Sequence, residues 1–327
     1  MPLPNPIQYA FSATPPSDVS SDVSKFDAAV IINATAGQGR ASTWLEDLAQ
    51  QFSACGINAK ITLVKNGGEI DAAARSAIQQ GITILVAGGG DGTVNAVASH
   101  VVGTGSVLGV LPLGTLNHFA KDAHIPLELE AAICNIAVGQ RVVVDAAEVN
   151  GHLFINNSSI GLYPQIVRHR EQQQRLGRSK WNAFFWAMLS AFKRFPFHRI
   201  SVLIDGKEHH RSTPFVFIGN NNYTMEGLHI GERTNLTAGV LSFYTAHKTG
   251  RFGLFQLALS ALLGRLKRDN DFEALQTTEL RIDTRRSFLR VSTDGEVNIL
   301  QTPLHYRILA GALRVIVPHP TALKEIV

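Results

Sequence analysis

The sequence predicts an α/β N-terminal half with a parallel sheet, followed by a β-rich half built as an antiparallel sandwich. Three observations carry this. Between residues 26 and 138, apolar runs of strand length alternate with helical segments of ten or so residues, the rhythm of parallel strands joined by crossover helices. Inside that stretch, the β-branched run at residues 82–86 passes through three glycines into a helix-compatible segment. From residue 141 onward, short strand-like segments recur with Gly or Asn between them, as antiparallel pairing requires.

Bulk composition frames these elements. At 327 residues the chain is longer than most single domains, so two domains are expected. A hydrophobic content of 45% with 17% charged residues describes a globular protein. The net charge of +4 suits a protein that meets anionic lipid or nucleotide, without demonstrating either. Cys55 and Cys134 have no metal-binding or redox spacing and read as two buried thiols. No apolar run approaches the ~18 residues of a spanning helix. Residues 1–25 have no basic start and no signal-length apolar core, and their Pro, Ser and Asp content reads as a disordered lead-in. A soluble, cytoplasmic chain that meets a membrane only from its surface is the expectation.

In chain order, residues 26–35 form the first strand, which ends in the loop Ala36-Gly37-Gln38-Gly39-Arg40. A helix over 41–54 follows, with Trp44, Leu45, Leu48 and Phe52 on one side. Residues 60–64 read as a strand and 70–80 as a helix. The strand at 82–86 then enters Gly88-Gly89-Gly90-Asp91-Gly92-Thr93, with a helix from Val94 through Asn95 to His100. Glycines let a backbone approach an anion closely, and the N–H groups at a helix start point at it. Asp91 adds a carboxylate suited to a divalent ion or to chemistry on a hydroxyl. The alternative for this loop is a tight turn without a ligand. A strand at 106–112 leads into Pro112-Leu113-Gly114-Thr115-Leu116-Asn117-His118, and a helix over 127–138 closes the first domain. In such a sheet, ligands sit at the carboxyl ends of the strands.

The second half opens with two strands around Asn150-Gly151, and strands are expected at 199–204, 213–218, 240–246, 279–283, 288–293, 306–309 and 313–317. Two helices interrupt them. Trp181, Phe184, Phe185, Met188, Leu189 and Phe192 form an apolar stripe flanked by Arg175, Arg178, Lys180, Lys193 and Arg194. It reads either as a helix packed on the sandwich or as a basic aromatic helix at a membrane interface. A second helix over 254–266 carries the same two readings. Near the end stands Thr293-Asp294-Gly295-Glu296-Val297. If the strand continues through Gly295, alternation puts Asp294 and Glu296 on one face as paired carboxylates. A bare Asp-Gly-Glu is also common in hairpin turns.

GGGDGTVNAVA (88–98), PLGTLNHFA (112–120) and DGE (294–296) resemble three strings of the diacylglycerol kinase catalytic family, which holds bacterial lipid kinases and sphingosine and ceramide kinases. NATAGQGR (33–40) is similar to a fourth, with Ala34 where proline is usual and Asn33, Gly37, Gly39 and Arg40 matching; His118 stands where the family more often has Asp. The resemblance covers residues 28–318. It implies a nucleotide-binding domain at 26–140 and a β-sandwich lipid domain at 141–318, with the closing strands candidates to return toward the first, an active site in the cleft between, and a tail at 319–327. It also implies ATP and Mg²⁺ as cofactors and a lipid at a membrane surface as partner; nucleic acid is not expected, and the oligomeric state is left open. Nucleotide contacts are implied for Asn33, Gly37, Gly39, Arg40, Gly89, Gly90, Asp91, Gly92, Thr93, Val94, Asn95, Thr115 and Asn117. Catalytic roles are implied for Glu296, Asp294 and Asp91, with Glu296 as proton acceptor, although sphingosine kinases use the Asp of the glycine string. The stretch that in some bacterial members holds a structural Mg²⁺ reads Leu236-Thr237-Ala238-Gly239-Val240 here, and Ala238 lacks the carboxylate. A lipid kinase for diacylglycerol or a related lipid follows. A soluble-substrate kinase of the NAD kinase type, and a nucleotide-binding regulator without turnover, are the alternatives.

Overall fold

Strands β1 (Ala28–Asn33), β2 (Ala59–Val64), β3 (Ile84–Gly89) and β4 (Val107–Pro112) run parallel in the order β2-β1-β3-β4. This computed structural model describes residues 27–34, 42–161, 198–204, 206–213, 215–226, 229–233, 235–246 and 272–319. Gly37, Gly39, Arg40, the lead-in at 1–25, the end of the tail and the two apolar helices around Trp181 and at 254–266 lie outside the described residues.

The parallel strands are buried on both faces, which is why they read as unbroken apolar runs. On one face Ile70, Ala74 and Ala77 of α2 (Gly67–Gln79) and Val94 and Val97 of α3 (Asp91–Val101) pack against Ile31 and Leu85. On the other, Leu48 and Phe52 of α1 (Ser42–Ala54) and Ile133 and Ile136 of α5 (Leu129–Val138) pack against Val30, Ile32 and Val86. Each of the Val, Leu, Ile and Phe side chains among these contributes about 1.5–3 kcal/mol relative to exposure. The chain therefore leaves β1 over one face and β3 over the other. The carboxyl ends of these two neighbours form the switch point at which open α/β sheets bind ligands.

The second half is antiparallel, as expected. Its sandwich pairs a six-stranded sheet, ordered β14-β13-β10-β7-β16-β17, with strands that continue the first sheet. The six are β7 (Asn157–Gly161), β10 (Phe215–Asn220), β13 (Leu241–Ala246), β14 (Phe272–Thr277), β16 (Phe288–Thr293) and β17 (Glu296–Gln301). Opposite them lie β5 (Gln140–Val149), β6 (His152–Phe154), β8 (His198–Ile204), β9 (Lys207–Thr213), β15 (Glu279–Thr284) and β18 (Leu304–Val317), all in one ten-stranded sheet with β1–β4. Phe154, Val202, Leu280 and Tyr306 meet Ile218, Phe243, Val291 and Leu300 in the core between the layers. A small hairpin, β11 (Tyr223–Glu226) and β12 (His229–Arg233), completes the strands.

Where two closing strands were expected there is one, β18, which spans both halves. It runs antiparallel to β5 along its length, pairs β15 through residues 304–307, and meets β4 in parallel at Val315. Gly311, which separates the two apolar runs in the sequence, is a bulge at φ 61° with a register shift between Leu309 and Leu313. The buried Asp145 carboxylate accepts the Gly311 N–H at 2.8 Å and the Gly239 N–H at 2.7 Å, tying the bulge to the segment that contains Ala238.

The two cysteines correct the sequence reading. They are not two separate buried thiols: Cys134 on α5 is exposed, Cys55 after α1 is half-buried, and their Sγ atoms lie 3.1 Å apart. The carboxyl end of α1 and the middle of α5 bring together residues 79 apart, which spacing along the chain cannot reveal. The hydrogen bond with Cys134, and then burial, push the Cys55 thiol up to about 11.

Candidate functional site

The site is built on the end of β3. The last residue of β3 is Gly89, where a Cβ would overlap the Thr93 side chain in the first turn of the following helix. Gly90 is the N-cap of α3, in extended conformation, and supplies no side-chain cap. The contrast with α2 is instructive. There Asn66 accepts the Glu69 N–H at 3.0 Å while Glu69 accepts the Lys65 N–H at 2.8 Å, so side chains fill the helix start. At α3 no side-chain cap of that kind is present among the described residues, which leaves the first-turn N–H groups and the positive end of the helix dipole for another partner.

These two helix starts border one cleft of about 680 Å³ at the switch point between β1 and β3. Asn33, Gly90, Gly92, Thr93 and Asn95 line it from the first half, and Thr293, Glu296 and Asn298 from the second. Asn33 at the end of β1 donates to Thr93 Oγ1 at 3.2 Å, joining the end of β1 to the first turn of α3. Asn95 donates to the Leu153 carbonyl at 3.1 Å, and its buried Oδ1 has no hydrogen-bond partner among the described residues. Val94 points the other way, into the core, and contributes only backbone.

The loop after β4 braces the glycine loop rather than reaching into the cleft. Gly114 lies against Gly90, where a Cβ would overlap the Gly90 Cα. Asn117, expected to face a nucleotide, holds the loop itself. Its left-handed backbone (φ 50°) turns the amide inward, where Oδ1 accepts the Gly114 N–H at 3.0 Å and Nδ2 donates to the Pro112 and Gly114 carbonyls at 3.1 and 3.0 Å. Thr115 is exposed at the loop tip and outside the cleft lining. Asp91 also has a bracing contact: its Oδ1 accepts the Phe119 N–H at 3.1 Å, linking the start of α3 to α4 (His118–Asp122).

The three carboxylates named from the sequence separate into different environments. Asp294 and Gly295 adopt φ 48° and 89° and form the two-residue turn of the β16–β17 hairpin, so extended geometry stops at Thr293. Asp294 and Glu296 therefore do not share a strand face. Asp294 turns inward and is buried, accepting the N–H groups of Ile155, Asn156 and Asn157 at 2.7, 2.9 and 2.9 Å. Burial pushes its carboxyl up to about 7 against the pull of these three donors, and the Asp91 charge adds to the rise. Glu296 is exposed in the cleft, over the first turn of α3, where a Cβ on Gly92 would come within 3.1 Å of its Oε1.

The segment held by Asp294 is gripped from its other side by a network that the sequence did not announce. Arg233, fully buried, pairs with Asp122 at 2.6 Å and donates to the Ile155 carbonyl and to Asn156 Oδ1. Tyr223 donates to the Asn156 carbonyl at 2.9 Å. Burial works against the Arg233 charge, but Tyr223, Asp122 and Asp294 hold its pKa above the usual arginine value. Asp122 lies two residues past the string at 112–120, and Arg233 stands in a run with no motif. Among the described residues, no group of three His, Cys, Asp or Glu side chains is placed to hold a metal ion, and no helix is long and apolar enough to cross a membrane.

Comparison with known proteins agrees with this architecture. Residues 27–149 match the diacylglycerol kinase catalytic domain, and residues 160–317 match the YegS C-terminal NAD kinase beta sandwich-like domain. Proteins named "Probable lipid kinase YegS-like" from Yersinia pestis (strain Pestoides F) and Yersinia pseudotuberculosis serotype O:1b (strain IP 31758) are each 30% identical over 179 residues. That match spans 53% of this chain and 59% of each relative. The fold is shared with a solved diacylglycerol kinase structure from Bacillus anthracis str. Sterne, at TM-score 0.65 and 21% identity over 91% of this chain and 98% of the other. With a catalytic-domain match on the glycine-loop half and a matching sandwich domain behind it, the chain belongs to the diacylglycerol kinase catalytic family.

Proposed function

We propose that this protein is an ATP-dependent lipid kinase, transferring the γ-phosphoryl group to the hydroxyl of diacylglycerol or a related lipid. One observation carries the reading: an uncapped helix N-terminus and an exposed carboxylate, Glu296, border the same cleft. The first suits phosphate and the second suits a hydroxyl proton.

The residues present fit a nucleotide. Gly90 leaves the start of α3 open, Gly89 lets Thr93 fold beneath it, and the partnerless Oδ1 of Asn95 is available to a donor. The N–H groups of residues 91–93, with Asn33 alongside, would hold the phosphates. ATP, when bound, supplies the phosphoryl group and the leaving ADP oxygen. For the expected Mg²⁺, no group of three His, Cys, Asp or Glu side chains forms a cage among the described residues.

Phosphoryl transfer needs positioning and a proton acceptor more than covalent help. Glu296 takes the proton as the lipid oxygen bonds to phosphorus. Asp91, at the head of α3, remains a candidate to orient the hydroxyl. For Asp294 the geometry supports positioning: its oxygens hold residues 155–157, which join β6 to β7 behind the cleft. Incubation with ATP and either a total lipid extract, NAD or neither tests the reading. Lipid-dependent ADP release, with a phosphorylated lipid found by mass spectrometry, is the expected result. Release with NAD alone would contradict it.

A further inference from the structure

The strand that carries Glu296 has a second face. Along β17, Glu296 and Asn298 turn to the cleft, so alternation sends Val297 and Ile299 outward. Ile299 is 67% exposed and Val297 43%. On the neighbouring strand Phe288 is 60% exposed, and it stands diagonal to Ile299 because Phe288 pairs with Gln301 and Arg290 with Ile299. The three apolar side chains form one continuous stripe. Buried area elsewhere in the sandwich shows that the fold has ample means to cover Phe and Ile, so this stripe is a feature of the surface.

Its charge is one-sided. Arg290 stands beside Ile299, and Arg285 and Arg286 are exposed immediately before β16. None of the three makes an ion pair among the described residues. Between residues 285 and 301 the only carboxylates are Asp294, buried, and Glu296, which faces the cleft. Among the described residues β17 is also the last strand of its sheet, so the route from the outer face to Glu296 passes around a single edge.

We infer that the outer face of the β16–β17 hairpin docks on an anionic lipid bilayer. The stripe enters the interface and the arginines meet the headgroups. A lipid hydroxyl then has one strand to pass before it reaches Glu296. The assignment of a bilayer as occupant rests on the lipid kinase reading above.

The test uses the full-length protein and vesicles of phosphatidylcholine with and without phosphatidylglycerol. Wild type is expected to sediment with the mixed vesicles, and added salt weakens this as it screens the charge. Arg285→Gln/Arg286→Gln/Arg290→Gln, and separately Phe288→Ser/Ile299→Ser, are each expected to weaken binding at least about tenfold. Both variants should phosphorylate a water-soluble short-chain diacylglycerol at the wild-type rate while losing turnover on vesicle-embedded lipid. Unchanged vesicle binding in both variants overturns the inference. So does a wild-type dimer that the Phe288→Ser/Ile299→Ser change dissociates with vesicle binding intact, since the face would then belong to a second copy. Absence of turnover on the short-chain lipid in wild type counts against the kinase reading and leaves the vesicle result to stand or fall alone.

Discussion

Gly114 lies against Gly90 so closely that a Cβ on Gly114 would overlap the Gly90 Cα and come within 2.8 Å of Asn117 Oδ1. This contact joins the two loops that the sequence presents as separate strings. It is one-sided: a Cβ on Gly90 would stand 3.5 Å from the Gly114 Cα, an ordinary van der Waals distance.

The asymmetry gives opposite expectations for two substitutions. Gly114→Ala must push the loops apart and should cost about 1–3 kcal/mol, as overpacking does, with weaker ATP binding as a result. Gly90→Asp should fold, since Asp is a favoured N-cap, but it places a carboxylate where the phosphates belong. Chemical denaturation and ATP titration of both variants check this. A stable Gly114→Ala, or a Gly90→Asp that binds ATP normally, would remove the cradle from the account.

Asp294 gives a pH prediction. Its carboxyl sits at about 7 in the folded protein and near 4 when unfolded, so the native state holds the extra proton between these values. Stability from this group is present below about pH 4 and is lost as pH rises toward 7. In Asp294→Asn, which keeps a turn-forming residue at φ 48°, the stability deficit relative to wild type should widen as pH falls from 8 to 5. Urea midpoints at several pH values measure it; parallel curves would show that Asp294 does not titrate in this window.

Cys55 and Cys134 predict a cross-link. Diamide should oxidise the two thiols to a disulfide as it is itself reduced, with a mass loss of two hydrogens and no dimer. Closing that loop should raise stability by about 4–5 kcal/mol if the bond forms without strain. Cys134→Ser should abolish both effects. Two thiols still titratable after oxidation would contradict the 3.1 Å approach.

Much of the fold was legible because burial writes itself into periodicity. β1, β3 and β4 are covered on both faces and read as apolar runs, and Asn150-Gly151 announced its hairpin by turn chemistry. β18 was read as two strands because Gly311 interrupts its pattern, and a bulge looks like a turn when pairing is unseen. At the site, the motifs picked out the glycine loop and Glu296, which border one cleft, but not the contacts that Asn117 and Asp294 make. Both adopt positive φ, which redirects a side chain in a way that residue spacing does not record. Arg233 and the cysteine pair depend on contacts between residues far apart in sequence.

The most direct test concerns Glu296. Glu296→Gln keeps the shape over α3 and removes the proton acceptor. Steady-state phosphorylation of the identified lipid should fall by about 10²- to 10⁴-fold, with ATP affinity, measured separately, unchanged. Near-normal turnover in Glu296→Gln, beside an inactive Asp91→Asn that still binds ATP, would move the base to Asp91 and contradict the account.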